Sequence, residues 1–197
     1  MNQRWTDVTV AGHCGDEATA RAGLADTDQV TRELALGALA RTGALADHEV
    51  VAAFSDPAPN VRRRAIEIAA TRPAIDLFDA LHDDDPVVLE HAAWACGEHE
   101  LVSARVLDRL IALATSAEVA LVRESAVAAL GAIGDPRGLD AILAGCRDQP
   151  TVRRRAVLAL APFDGPEVDA AIAAALDDRD WQVRQAADDL IRAAQAD

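Results

Sequence analysis

The sequence predicts an all-α chain, a right-handed α-α superhelix of about six helical hairpins, and three observations predict it. Ala fills 45 of 197 positions while aromatic residues make up 3%. Ala is the best helix former and lets backbones approach closely, so this composition suits thin helices packed in pairs and a thick sandwich core badly. A short pattern opening on Val recurs six times. No stretch alternates apolar and polar residues as a half-buried strand would.

The pattern is an acidic residue, a turn, then Val, often followed by Arg, with a small residue four positions after the Val. It reads Val61-Arg-Arg-Arg-Ala65, Val122-Arg-Glu-Ser-Ala126, Val152-Arg-Arg-Arg-Ala156 and Val183-Arg-Gln-Ala-Ala187. Weaker copies run from Val88 to Ala92 and from Val30 to Leu34. The six anchors are separated by 31, 27, 34, 30 and 31 residues.

Each anchor opens a helix. After Val61 the apolar or small positions are Ala65, Ile66, Ile68 and Ala69, and after Val152 they are Ala156, Val157, Ala159 and Leu160. These spacings trace one face of a 3.6-residue period. Helix-start signals precede the anchors at Asp56-Pro57, Asp85-Pro86, Ser116, Asp148 with Pro150, and Asp180. A second amphipathic segment lies between anchors: 49–54, 75–81, 106–113, 139–146 and 168–176. Gly43, Gly97, Gly134 and Gly165, with Pro73, Pro136 and Pro166, punctuate the links. Every unit therefore reads helix, tight turn, helix. The expected organisation is one domain over 1–197, with an N-terminal extension 1–13 covering the first hairpin through Trp5. The repeats fall at about 14–43, 44–72, 73–98, 99–135, 136–164 and 165–197. The last helix, with Asp188, Asp189, Arg192, Gln195 and Asp197, has the polar side expected of a terminal cap.

Residues Val122 to Gly138, with the Asp-Pro before other anchors and the link Ile133-Gly-Asp-Pro-Arg-Gly138, resemble HEAT-like repeats of the short type found in phycobilin-lyase relatives. The resemblance covers roughly residues 14 to 195. It implies a HEAT-like solenoid and says little of activity, because many functions use such arrays. Thr31 and Leu89 depart from it, each standing where the Arg after the anchor is expected.

Composition narrows the function further. The net charge is −14, and all 19 basic residues are Arg. Such a surface repels phosphate backbones, so nucleic acid is not an expected partner. Cys14, Cys96 and Cys146 are odd in number and lack metal-ligand spacing, which predicts neither disulfides nor zinc. No apolar leader or membrane-length stretch is present, so the expected location is the cytoplasm, without membrane contact. A monomer without cofactor is expected.

Arg62, Arg123, Arg153 and Arg184 share one position on successive second helices. Their expected role is structural, a ladder tying each repeat to acidic groups of a neighbouring turn, with Asp56, Asp148 and Asp180 as partners or caps. The second helices are expected to line a concave face, and positions three and six after each anchor to face outward from the core. Candidate contacts for a partner peptide or helix are Arg63, Arg64, Glu67, His91, Trp94, Arg154, Arg155 and Leu158. Trp94 is the expected anchor, because Trp offers large contact area at small entropic cost. Trp181, in a turn before its anchor, is expected to pack.

Enzymatic readings find thin support. The pairs His48-Glu49 and His99-Glu100 resemble those of HEAT-like di-iron hydroxylases, but both fall near the starts of first helices, where ligands would not converge. HEAT-like DNA glycosylases need a basic groove. The phycobilin-lyase resemblance implies a ligand carrier or lyase-like alternative, yet no motif for tetrapyrrole chemistry is present. The leading expectation is a non-catalytic protein-interaction scaffold.

Overall fold

A computed structural model describes residues 3–99 and 101–195. Among them the chain holds twelve α-helices and no strand. The helices are α1 (Gln3–Cys14), α2 (Glu17–Gly23), α3 (Gln29–Thr42), α4 (Asp47–Ala53), α5 (Pro59–Ala69), α6 (Pro86–Gly97), α7 (Ala104–Ser116), α8 (Ala120–Ile133), α9 (Leu139–Gly145), α10 (Pro150–Ala159), α11 (Pro166–Leu176) and α12 (Trp181–Ala194). Single 3₁₀ turns occupy Ala80–His82 and Pro136–Gly138. No helix is long and apolar enough to cross a membrane among the described residues. The chain divides into two compact units, 1–92 and 93–197, with the division inside α6.

In the first unit, α3 packs against α1 on one side and α5 on the other, and α2 and α4 back them. Leu36, Leu39, Val50, Val61, Ile66, Leu77 and Leu81 form its buried centre. Residues 3–14 are thus a helix lying where a preceding second helix would. Val8 and Ala11 are buried, and Gly12 lets α1 approach α3 so closely that a Cβ there would stand 2.7 Å from that of Ala38. Trp5 donates its indole N–H to Asp28, the cap of α3.

In the second unit, α8 packs against α10 and α10 against α12, while α7, α9 and α11 back them. Leu107, Leu110, Leu130, Ile142 and Leu160 are fully buried. Close approach is again made by absent side chains. A Cβ on Gly131 would meet the Ala159 backbone at 2.6 Å. Helix α8 stops at Gly134, whose φ of 68° suits the left-handed cap only Gly adopts readily.

Guanidiniums at the position expected for the Arg ladder join successive hairpins at Arg62, Arg123 and Arg153. Arg62 places Nε and Nη2 on the two oxygens of Asp83 at 2.6 and 2.8 Å, and Nη1 on the Asp56 carbonyl at 2.9 Å. Arg123 grips Asp148 and the Ala117 carbonyl in the same way, and Arg153 grips Asp178 and the Asp148 carbonyl. Each guanidinium therefore ties its own turn to the next hairpin's turn, a bidentate geometry only Arg supplies. Arg184 keeps the carbonyl half, to Asp178 and Arg179, and no carboxylate lies on its fork among the described residues.

Three sequence expectations about the helices need correction. The first repeat is anchored by Thr31, 2% exposed, and not by Val30. Arg32 then holds the ladder position and grips Asp56 with both fork nitrogens at 2.7 Å. The hydroxyl of Thr31 donates to Asp28 at 2.8 Å, so Thr replaces the isosteric Val without burying an unmet donor. Segment 75–81 is not a helix: after Pro73 it keeps only the 3₁₀ turn Ala80–His82, which accounts for the short 27-residue spacing. Ser116 does not open α8 but closes α7, its hydroxyl donating to the Ala112 carbonyl at 2.6 Å. Asp180 caps α12 by accepting from Gln182 N–H, one of the two roles expected of it, and the ladder partner in that turn is Asp178.

Candidate functional site

The second helices carry the candidate residues, and the structure places them in two chemically different groups. In the first unit, Glu67 on α5 is the centre of a closed network. Arg63 Nη1 donates to it at 3.3 Å and Arg64 Nη1 at 3.0 Å, and His91 Nε2 lies 3.7 Å away. Arg63 also lies 3.9 Å from Glu33, which accepts from Asn60 at 2.6 Å. His91 Nδ1 meets Glu90 at 2.7 Å. The Arg63–Arg64 pair, expected as a partner contact, is thus neutralised by its own helix and its neighbours.

In the second unit the same sequence, Val152-Arg-Arg-Arg-Ala156, gives a different result. Arg153 is spent in the ladder. Arg155 reaches Glu124 only at 3.7 Å, and its Nε is buried with no hydrogen-bond partner. Arg154 has no carboxylate within 4 Å among the described residues. It lines a groove of about 320 Å³ between α10 and α12, with Leu158, Trp181, Gln182, Gln185, Ala186 and Asp189. The apolar part of this groove is exposed: Leu158 is 37% accessible and Trp181 64%. Trp181 was expected to pack, but as the first residue of α12, just after the Asp180 cap, it stands outward. Sequence reasoning missed it because two residues before an anchor looks like turn interior. Asp180 marked the helix start, but not which way its first residue faces.

Trp94 is 41% exposed on α6, at the position that Leu158 occupies on α10 and Ala128 on α8. Its neighbours Ala93, Ala95 and Cys96 are fully buried, so the helix presents Trp94 on its open side.

The titratable groups fit structural roles. The Arg123 hydrogen bonds hold Asp148 below the usual carboxylate range, and those of Arg153 do the same to Asp178. Burial raises Asp56, but Arg32 and the Ala58 N–H outweigh it, and its net shift is downward. Burial pushes the Cys146 thiol up to about 11, which keeps it protonated and unreactive at neutral pH. His48 lies exposed near the start of α4, as expected. His99 does not: it is 6% exposed and precedes α7 by several residues, while Glu100 lies outside the described residues. No group of three or more His, Cys, Asp or Glu is gathered as metal ligands would be among the described residues.

Comparison with known proteins fits this geometry. A model of HEAT repeats matches residues 48–131 and 74–151, which together span more than half the chain. The chain belongs to the HEAT-repeat family. A second model, the PBS lyase HEAT-like repeat, matches residues 152–178 of this HEAT-repeat protein. No curated protein matches it. Among solved structures it is similar to an engineered protein with TM-score 0.66 and 17% identity, covering 92% of this chain and 99% of that one. A designed armadillo repeat protein in complex with the peptide (KR)4 matches with TM-score 0.57 and 15% identity, covering 97% and 98%. Human deoxyhypusine hydroxylase in complex with glycerol matches with TM-score 0.51 and 18% identity, covering 98% and 80%. At these identities the likeness shows the fold alone, a helical-repeat solenoid.

Proposed function

We propose that this HEAT-repeat protein is a non-catalytic interaction module that takes a peptide or helix of a partner protein on its second helices. The observation that carries the reading is the groove between α10 and α12, where Trp181 and Leu158 leave large apolar side chains in solvent beside the polar Gln182 and Gln185. Trp beside another exposed apolar side chain, with a polar surround, is the usual composition of a binding hot spot. Trp94, half-exposed at a repeat-equivalent position, is a second apolar contact. A designed armadillo protein of similar fold is in complex with the peptide (KR)4, which supports a peptide as the kind of ligand.

Peptide selection from a random library displayed on phage tests the reading, comparing wild type with Trp181→Ala. Peptides enriched on wild type should bind the variant at least tenfold more weakly, on the order of the 2 kcal/mol lost at a hot spot. Equal binding, with both proteins equally helical by circular dichroism, would remove the groove from the account.

A further inference from the structure

The second and fifth hairpins amount to an internal substitution experiment. Both second helices begin Val-Arg-Arg-Arg-Ala, at Val61 and Val152. In each, the first Arg goes to the ladder. In the second hairpin the other two, Arg63 and Arg64, converge on the carboxylate of Glu67, six residues after the anchor. In the fifth hairpin the residue six after the anchor is Leu158. The carboxylate is gone while both guanidiniums remain. Arg154 has no carboxylate within 4 Å among the described residues, although Asp189 lines the same groove; Arg155 reaches Glu124 only at 3.7 Å, and its buried Nε has no acceptor. A buried donor without an acceptor costs about 1–3 kcal/mol.

We infer that Arg154 and Arg155 receive a carboxylate from the partner, which takes the place that Glu67 fills in the second hairpin, with Leu158 and Trp181 holding the adjacent apolar side chain. The inference rests on the interaction reading above and specifies its ligand: an apolar segment carrying one or two Asp or Glu residues. A strongly acidic partner is the wrong ligand, because the net charge of −14 would repel it before the two guanidiniums could act. The surrounding acidity thus restricts the partner to sparse carboxylates set among apolar residues.

The test uses fluorescently labelled peptides of sequence Leu-Asp-Leu-Glu-Leu and Leu-Asn-Leu-Gln-Leu, with blocked termini, against the full chain. Fluorescence anisotropy should show the acidic peptide bound at least tenfold more tightly than its amide counterpart. Leu158→Glu supplies the missing carboxylate internally, so it should abolish that preference while raising the thermal midpoint. Arg154→Gln should reduce the preference without lowering the midpoint. Equal binding of the two peptides, or absence of binding by both, would overturn the inference. If library peptides free of Asp and Glu are nevertheless lost by Trp181→Ala, the inference falls and the interaction module stands. If library peptides bind Trp181→Ala as well as wild type, the module reading itself falls.

Discussion

Single side chains decide much of this molecule's chemistry, and several can be tested alone. Gly131 exists because Ala159 backbone occupies the space a Cβ would need. Gly131→Val should push α8 from α10 and cost about 1–3 kcal/mol, read by urea unfolding. Cys146, with its thiol raised to about 11 by burial, should react far more slowly at pH 8 with a thiol reagent than the exposed Cys14. Mass spectrometry of the modified peptides would separate the two. At this scale the sequence was partly legible. Cys96 in the core and Leu158 on the surface follow from the 3.6-residue period alone. Trp181 did not, because whether the first residue of a helix faces in or out depends on its cap geometry. Thr31 did not either, because its hydroxyl is accommodated by Asp28, a partner no repeat pattern advertises.

Between elements, the ladder is the main joint. Removing one guanidinium leaves a largely buried carboxylate unpaired, so Arg153→Ala should cost about 3 kcal/mol. Arg184→Ala, whose fork holds no carboxylate, should cost less than about 1 kcal/mol. Comparable losses for the two variants would refute the ladder as the source of cohesion. The Arg positions were readable from the repeat, but their acceptors were only half readable. Asp83 and Asp178 lie one turn further along than a helix-cap argument looks, since the partner belongs to the following hairpin. The missing helix at 75–81 shows the converse failure: the segment has amphipathic spacing over only seven residues, and one 3₁₀ turn sufficed to bury Leu81.

For the whole chain, charge and periodicity set separate properties. The even pitch and the Ala content dictated the all-α repeat fold, which is why it could be read before any coordinate. Acid sensitivity follows from the ladder. The folded-state pKa values of Asp56, Asp148 and Asp178 are depressed, so their contribution is full above the ordinary carboxylate value of about 4 and is lost as pH falls through the folded values. Between pH 7 and 5 easing repulsion among 33 acidic residues opposes any loss, so the informative quantity is a difference. The gap in thermal midpoint between wild type and Arg153→Ala should be constant above pH 5 and shrink below pH 4, because the variant has already lost the pull on Asp178. A gap that widens on acidification would contradict this assignment. Partner chemistry was the least legible feature, since it depends on which Arg residues are already paired, and pairing spans helices far apart in sequence.

The most direct test of the interaction reading is the set of tryptophan indole N–H resonances in a two-dimensional nitrogen–proton spectrum, recorded with and without a library-selected peptide. Trp5, hydrogen-bonded to Asp28 within the first unit, serves as the internal reference. The account predicts that the Trp181 resonance, identified by Trp181→Phe, moves on addition of peptide while that of Trp5 stays in place. A bound peptide that leaves Trp181 unmoved would contradict it.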